Sequence, residues 1–509
     1  MMKKREHPFT ARAAALLMAA LLCCLTACSE GVQTESSAGE SGGTTTARSS
    51  KTQGNGTSTQ DSSSGETTGS GDVQSTTTGG ILRPQGTTTQ DTPGGGGGTT
   101  APQEVVTPEY DFMASFPADQ KNKTIRLLYW SAPTDAMKKQ IADFKEKTGV
   151  TVNVIQTTWD LYPSRLTTLV ASNSAPDIAC STQDWWPSSI IKNLFQDISV
   201  GAFDLENDPA YDTEIMDICS WNGKYYGVAV KNSVSSSTMN VILYNKTMFK
   251  RAGRETPFEL WQKGQWNWDT YLEAAKAFTK TQNGTKYYGT AVAPESYMLS
   301  AGTDFVKFVT SGNKTSIKNN LSDPALEKAW KFYVDTREVY NVEPITMTAN
   351  DFYTGKIAMM DVTDARALDF NEIRSNMTDE LGVAPFPCPA GQTPVAGAKA
   401  LVWGIPRGAK TPIAASYFIR YMLDPNTLEE SDLYINSEAK QVYASLVNMK
   451  KNALMSRGVV GYSTMDDYWG LFSEVAYGKP DQVAVNLKSW SSKLDATIKE
   501  IEKEISSFS

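Results

Sequence analysis

Apolar and polar positions downstream of residue 110 alternate with the periods of strands and helices. The segment Thr124–Trp130, TIRLLYW, is a mostly apolar run that predicts a strand. The next segment, DAMKKQIADFKEKTG, places apolar residues on one face at helical spacing, and Gly149 supplies a C-terminal stop. The segment Val150–Ile155, VTVNVI, then alternates with period two. Strand, helix and strand at this spacing predict a βαβ unit, and therefore parallel pairing in an α/β architecture.

The same alternation continues toward the end of the chain. Two later segments, NWDTYLEAAKAF and AASYFIRYML, have helical spacing, and ALVWGIP is typical of a strand. Apolar residues from Leu494 to Ile505 predict a closing amphipathic helix. Residues 109–509 are too many for one comfortable core, so we expect two lobes built from discontinuous segments.

The first 27 residues have the parts of an export signal. Four basic residues precede an apolar run from Ala13 to Leu25, which is shorter than the roughly 20 residues that cross a bilayer. The tetrapeptide that ends at Cys28, LTAC, resembles a bacterial lipobox, which implies cleavage before Cys28 and a diacylglycerol on its sulfur. The alternative is an ordinary secretory signal with incidental cysteines.

Residues 28–108 consist mainly of Ser, Thr, Gly and Gln. No aromatic residue lies between Phe9 and Tyr110, so this segment offers little to offset the entropy of ordering the backbone. The pentaglycine Gly94–Gly98 lacks the Lys-Ser/Thr pair of a phosphate-binding loop. We expect a disordered tether with an r.m.s. span of roughly 50 Å.

The net charge and the histidine content exclude several classes of function. The chain carries a formal charge of −8, and its only histidine, His7, lies in the signal. An acidic chain is a poor partner for nucleic acid, whose affinity depends on Lys and Arg. A mature protein without histidine excludes Ser-His-Asp and Cys-His catalysis and the commonest zinc sites, so we expect no metal and no cofactor. A glycosidase with a carboxylate pair remains open.

Three cysteines follow the tether, namely Cys180, Cys219 and Cys388. An odd count permits at most one disulfide, and the irregular spacing is not that of metal ligands. We expect buried free thiols, with a Cys180–Cys219 disulfide as the alternative.

Eight segments carry a resemblance to a known family. In order, they are FKEKTGVTVNVI, LVASNSAPDIACSTQDWW, NGKYYGVAV, ILYNKTMFKRAG, WNWDTYLEAAKAF, DFYTGKIAMMDV, VAPFPC and LVWGIPRGAKTPIAASYFIRYML. Their order over residues 120–450 resembles the family 1 extracellular solute-binding proteins of ABC importers, the maltose-binding-like group. The resemblance implies a two-lobed α/β clamshell, with a hinge of crossing strands and the ligand between the lobes.

The resemblance also implies where ligand residues lie in the first lobe. Aromatic rings cover the C–H faces of sugars, and Asp, Asn and Arg bind their hydroxyls. Trp130 follows the first strand and Trp159 follows the second. Asp184, Trp185 and Trp186 follow the PDIACSTQ strand, where the family places ligand residues. Adjacent residues point in different directions, so we expect one of the last two rings in the cleft and one in the core.

Further candidates lie elsewhere in the chain. The loop DVTDAR offers Asp364 and Arg366 where the family often has a ring, and Trp403 is a candidate platform in the second lobe. Tyr226 is expected to line the hinge. Asp135 is expected either to accept from a ligand hydroxyl or simply to occupy the first turn of its helix.

The other tryptophans are assigned to packing, as is common for this residue, and Trp130, Trp159 and Trp403 share that alternative. The packing set is Trp221, Trp261, Trp266, Trp330, Trp469 and Trp490, and Trp268 is assigned to the start of its helix.

Taken with the resemblance, these features predict a non-enzymatic, monomeric collector. It would be lipid-anchored on the extracellular side of the cell membrane, bind a carbohydrate, and deliver it to an ABC transporter permease. Alternatives are a polyamine or peptide ligand in the same fold, and a tethered sensory or adhesion receptor without transport.

Overall fold

The computed structural model describes residues 110–507, except positions 234, 347, 363–372, 374 and 429–433. The strands of this part are β1 Thr124–Tyr129, β2 Thr151–Gln156, β3 Ala179–Thr182, β4 Ser220–Trp221, β5 Lys224–Tyr225, β6 Ser237–Met239, β7 Val241–Asn245, β8 Lys280–Gln282, β9 Thr285–Ala291, β10 Val306–Ser311, β11 Lys314–Asn319, β12 Ile357–Val362, β13 Leu381–Pro385, β14 Ala396–Gly404 and β15 Lys451–Ala453.

The α-helices of the same part are α1 Asp135–Thr148, α2 Tyr162–Ala171, α3 Ser188–Ile191, α4 Thr213–Ile218, α5 Lys246–Arg251, α6 Pro257–Gln262, α7 Trp268–Phe278, α8 Pro294–Ser300, α9 Pro324–Glu338, α10 Ala349–Tyr353, α11 Pro412–Leu423, α12 Ser437–Leu446, α13 Ser456–Val460, α14 Met465–Ala476, α15 Val483–Ser489 and α16 Ser491–Ser506. Short 3-10 turns cover Phe112–Ser115, Ala118–Gln120, Ile198–Val200 and Pro425–Thr427. No helix of the described residues is long and apolar enough to cross a membrane.

The first β-strands form the predicted βαβ unit. β1 and β2 pair in parallel, with Leu127 opposite Val154, and α1 connects them. Thr134 caps the start of α1 by accepting from the Met137 N–H at 3.2 Å. At its end Gly149, with φ 74°, donates to the Lys145 carbonyl, a left-handed conformation that glycine adopts without strain. The βαβ prediction is confirmed.

Two sheets organise the described residues. In the first, β1 bridges to the segment just before β3, and β3 then pairs antiparallel with β14, which also pairs with β6 and β15. The second sheet has five strands in the order β13-β7-β12-β9-β8. Helices α1 and α11 pack together beside the first sheet, whereas α6, α7 and α12 pack on the second. Each lobe therefore has its own α/β layers.

The chain passes between the two sheets more than once. β6 belongs to the first sheet and β7 to the second, and only Asn240 separates them. β13 belongs to the second sheet, and the chain returns from it to the first through β14. The Asn240 N–H donates to the Gly397 carbonyl at 2.9 Å, so the two crossings lie side by side. These strands form the hinge region of the clamshell.

The last helices close the described part of the fold. α14 and α15 pack on α9, and α16 packs against both β11 and α3. Short α13 lies against the segment that follows β3, because a Cβ built on Gly458 would stand 1.7 Å from the Trp186 carbonyl oxygen. Only glycine permits this approach. It brings the C-terminal helices to the residues that the sequence marks as ligand candidates.

Candidate aromatic binding site

Aromatic side chains gather where the parallel strands of the first sheet end. We call this group the aromatic wall; its members are Tyr129, Trp130, Trp159, Tyr162 and Trp185. The carboxyl ends of parallel strands are where open α/β sheets bind ligands. β1 ends at Tyr129, and the segments with Trp159 and Trp185 follow β2 and β3. The fold therefore explains why rings distant in sequence meet.

The rings of the wall contact one another directly. Trp159 lies edge-on to Trp130, with ring centroids 5.2 Å apart, and its centroid is 4.9 Å from that of Trp185. Trp185 stacks on Tyr162 with centroids 5.2 Å apart and planes 13° apart. These spacings are typical of favourable aromatic pairs. The wall is thus a connected unit.

The three tryptophans of the wall are accessible to a ligand. Trp159 is 37% exposed, and Trp130 and Trp185 are half-buried. Tyr162 is fully buried behind them; its hydroxyl donates to the Leu128 carbonyl and accepts from the Cys180 N–H at 2.8 Å. Burial raises its pKa well above the usual value. Buried Tyr162 therefore supports the aromatic wall from the protein interior, and the opposite side of the wall is accessible.

Two predicted site residues lie in the core. Trp186 is 1% exposed and packs against Trp221 and Phe308, with ring centroids 5.6 and 4.8 Å away. Trp403 is 0% exposed, stacks behind Trp130 with ring centroids 5.7 Å apart, and donates from its indole N–H to the Ser235 carbonyl at 2.7 Å. It lies in β14 and pairs with β3 of the first sheet, so its predicted place in the second lobe is wrong. In this structure neither ring has a free face for a ligand, because protein atoms already cover it. Of the adjacent pair, Trp185 is the accessible ring.

Asp135 and Tyr226 lie outside the aromatic wall. Asp135 begins α1, is exposed, and pairs with Lys138 at 2.8 Å; that hydrogen bond lowers its pKa. An acidic side chain in the first turn of a helix interacts favourably with the helix dipole. Tyr226 is half-buried beside the end of β14, and burial and Asp197 raise its pKa.

Asp184 stands between the wall and the second lobe. Its Oδ2 lies 3.9 Å from Nη1 of Arg457, whose Nη2 donates to Glu295 Oε1 at 3.0 Å. The Arg457 guanidinium also lies over the ring of half-buried Trp469, 5.6 Å from its centroid. The site therefore continues from Trp185 through Asp184 to an arginine and a further ring.

Sequence reasoning missed the site residues that the C-terminal helices contribute. Trp469 was expected to serve packing alone, and Arg457 was not singled out. Both belong to C-terminal helices, and only the close approach of Gly458 to the Trp186 backbone brings them to Asp184. The one available sequence signal was the order of an arginine and a Tyr-Trp pair in neighbouring helices, which does not by itself predict proximity.

The hinge contributes a buried polar chain. Asn240 Nδ2 donates to Ser296 Oγ at 2.8 Å, and the Ser296 hydroxyl donates to Asp361 Oδ2. Asp361 Oδ1 accepts from the Ala293 N–H at 3.0 Å. Burial, with a smaller contribution from Glu295, raises the pKa of Asp361 to about 6, while these hydrogen bonds oppose the shift. Both oxygens of this carboxylate thus have partners within the protein.

Asp364 and Arg366 lie outside the described residues, and Cys28 does as well. The three cysteines of the folded part, Cys180, Cys219 and Cys388, are free and buried. Burial raises the pKa of Cys180 to about 12. The prediction of buried free thiols is confirmed, and the disulfide alternative is wrong.

Comparison with known proteins identifies the family. Residues 139–437, more than half of the chain, match the family model of bacterial extracellular solute-binding proteins. This chain therefore belongs to the bacterial extracellular solute-binding proteins, which is the broader class that its segment order predicts. A relative from Brucella abortus (strain 2308), with the provisional name of a binding protein, is 24% identical over 387 residues, which cover 70% of this chain and 87% of the relative.

Solved structures show the same fold. An ABC substrate-binding protein of Listeria monocytogenes in complex with cycloalternan has a TM-score of 0.57 at 19% identity and covers 74% of this chain and 99% of its own. The cyclic α-maltosyl-1,6-maltose binding protein of Arthrobacter globiformis has a TM-score of 0.58 at 15% identity and covers 74% of this chain and 99% of its own. UgpB of Mycobacterium tuberculosis in complex with glycerophosphocholine has a TM-score of 0.57 at 14% identity and covers 73% of this chain and 98% of its own. The two-lobed α/β clamshell is confirmed.

Proposed function

We propose that this protein captures a carbohydrate, an oligosaccharide, outside the cell and delivers it to the permease of an ABC transporter. The observation that carries the proposal is the aromatic wall, with accessible rings of Trp130, Trp159 and Trp185 next to the Asp184 carboxylate. Flat rings cover the C–H faces of a sugar, and carboxylate and guanidinium groups bind its hydroxyls. Two of the solved structures described above are of proteins that bind cycloalternan and cyclic α-maltosyl-1,6-maltose, which supports a sugar ligand.

The mechanism in this proposal is binding and closure without catalysis. The wall of the first lobe takes the ligand first, and Trp469 of the second lobe then covers its other face. Closure follows because these second contacts exist only in the closed state, so that occupancy shifts the population toward it. The permease reads the closed shape.

The N-terminal region completes the proposal. Residues 1–27 direct export, Cys28 carries the lipid that holds the protein at the extracellular side of the cell membrane, and residues 28–108 form the tether. Residues 109–509 form the two discontinuous lobes, which act as a monomer. Two acyl chains on Cys28 make the anchor stable, because each buried CH2 contributes about 0.8 kcal/mol.

A polyamine is the second candidate ligand, and the geometry favours it less. An amine site needs carboxylates that are free to pair with a cation. Asp361 accepts from Ala293 and Ser296 with its two oxygens, and Asp184 lies beside the Arg457 guanidinium. Both carboxylates therefore have internal partners. A sensory or adhesion receptor without transport shares the same site and differs only in its partner.

The first test is a ligand screen with the mature chain carrying Cys28→Ser. Tryptophan fluorescence and thermal shift are measured against oligosaccharides, polyamines and short peptides. A ligand at about 100 times Kd should stabilise the protein by roughly 2.7 kcal/mol, which raises Tm by a few degrees. A saturable response to one glycan class supports the proposal. A response to amines alone, or to nothing, contradicts it.

The anchor is tested in cells by labelling with a fatty-acid analogue. We expect the wild-type protein to incorporate label and to partition with membranes, and Cys28→Ser to do neither. Equal partitioning of the two proteins would show that Cys28 is not the anchor.

A further inference from the structure

One arginine contacts acidic groups from both lobes. Arg457 donates from Nη2 to Glu295 Oε1 at 3.0 Å, and its Nη1 lies 3.9 Å from Asp184 Oδ2. Asp184 follows β3 of the first sheet, whereas Glu295 lies in α8, after β9 of the second. We call these three residues the Arg457 bridge.

The second-lobe side of the bridge is firmly held. Glu295 Oε1 also accepts from the Tyr468 hydroxyl at 3.2 Å. The guanidinium lies over the rings of Tyr468 and Trp469, with its carbon 5.7 and 5.6 Å from their centroids. The side chains of Arg457 and Glu295 are 17% and 9% exposed. Arg457 is thus oriented by the second lobe.

The first-lobe side of the bridge is less complete. At 3.9 Å the contact from Arg457 to Asp184 is an ion pair without a hydrogen bond. Within the described part of the chain, Asp184 Oδ1 is buried and has no hydrogen-bond partner. A buried carboxylate oxygen without a donor is unfavourable, so this atom favours a donor supplied from outside.

Nearby charges restrict which kind of donor can bind at Asp184 Oδ1. Among the described residues, Arg457 pairs with Asp184 and Glu295, and the charges of Glu295 and Lys399 act on Asp361. Arg457 places a positive charge beside Asp184. An ammonium group at Asp184 would therefore face a guanidinium at close range, where like charges repel. A neutral hydroxyl has no such cost.

We propose that Arg457 is a specificity-determining residue that positions the Asp184 carboxylate for a ligand hydroxyl and excludes amines from the same place. The hydroxyl donates to Asp184 Oδ1, while Arg457 holds Oδ2 and remains attached to Glu295. The inference about hydroxyls rests on the proposed carbohydrate function. The exclusion of amines does not.

The test compares two neutral variants with wild type, all in the mature chain carrying Cys28→Ser. Arg457→Met and Arg457→Gln are titrated with maltotetraose and with spermidine by calorimetry. We expect each to bind maltotetraose at least tenfold more weakly than wild type and spermidine at least tenfold more tightly. Arg457→Lys keeps the charge, so it should still exclude spermidine. Using two neutral variants guards against one that fails to fold.

Arg337 supplies the matched control. Its guanidinium lies over Tyr333 and Tyr477, 5.5 and 4.9 Å from the ring centroids, and it pairs with Glu338 at 3.2 Å. Arg337→Met should lower stability and leave both affinities within twofold of wild type. A loss of packing alone would not change ligand preference, so the selectivity ratio separates the two roles.

The outcomes are distinguishable. If wild type binds neither maltotetraose nor any glycan of the screen, the proposed function is contradicted, and the spermidine arm still decides the role of Arg457. If the neutral variants bind spermidine no better than wild type, the inference is overturned, whatever happens with the glycan.

Discussion

The ring of Trp185 stacks on the ring of Tyr162, with centroids 5.2 Å apart and planes 13° apart. Tyr162 is fully buried and is held through its hydroxyl by Leu128 and Cys180. An accessible tryptophan thus rests on a fixed ring, so its orientation costs little entropy when a ligand binds. This preorganisation is how a binding surface gains affinity without additional contacts.

Tyr162→Phe is expected to separate stability from binding. The variant keeps the ring that supports Trp185 but leaves the buried Cys180 N–H without its acceptor. We predict a loss of about 1–3 kcal/mol in the free energy of unfolding, with ligand affinity near wild type. Chemical denaturation and calorimetry check the two quantities. A large loss of affinity with unchanged stability would contradict the supporting role given to this ring.

Trp186→Ala should act on stability. The side chain is 1% exposed and packs on Trp221 and Phe308, so its removal leaves a cavity. We expect a cost of about 3–5 kcal/mol in the free energy of unfolding. Urea denaturation measures it. A variant as stable as wild type would show that Trp186 is not a core residue.

Glu343 should give stability a specific pH dependence. Burial raises its pKa to about 7, and its hydrogen bonds to Val292 and Thr336 only partly oppose that shift. The Thr336 hydroxyl lies 2.6 Å from the Tyr333 carbonyl and 2.8 Å from Glu343 Oε2. The Thr336 hydroxyl donates to both acceptors with a single proton, so it offsets the burial of a charged Glu343 only in part.

The direction of this pH dependence follows from proton binding at Glu343. Between the ordinary pKa of 4.5 and about 7 the folded state binds more protons at Glu343 than the unfolded state does, so this residue's contribution falls as pH rises. Relative to Glu343→Gln, wild type should therefore lose about 3 kcal/mol between pH 4 and pH 8, at 1.36 kcal/mol per pKa unit. Denaturant titrations of both proteins at several pH values measure the difference. A difference that is constant with pH, or that grows, would contradict a raised pKa.

The sequence predicts the local elements well because their signals are local. α1 begins and ends at its capping residues, and β1 and β2 lie within one residue of their predicted bounds. The buried face of α1 is less predictable. Apolar Ile141 is only half-buried, whereas polar Gln140 is buried and donates to the Met422 carbonyl and to Thr427. These partners lie about 280 residues away, so no local pattern contains them.

Prediction of the binding site from sequence has the same limit. Trp403 lies in β14, whose residues are buried on both faces, so alternation could not tell a cleft position from a core position. Trp185 and Trp186 are adjacent, and only tertiary packing decides which is accessible. Arg457 reaches Asp184 from a helix more than 270 residues later. Residues that follow strands could be predicted as candidates; those contributed by the C-terminal helices could not.

The most direct test of the account is the affinity of Trp185→Ala for maltotetraose, or for the glycan that the screen identifies. Trp261→Ala is the matched control, because Trp261 is also half-buried and contacts Phe258 away from the wall. Covering a large apolar surface contributes about 1.5–3 kcal/mol, so Trp185→Ala should weaken binding by roughly 10- to 100-fold, with Trp261→Ala within twofold of wild type. Equal affinities of the two variants would contradict the assignment of the aromatic wall as the carbohydrate site.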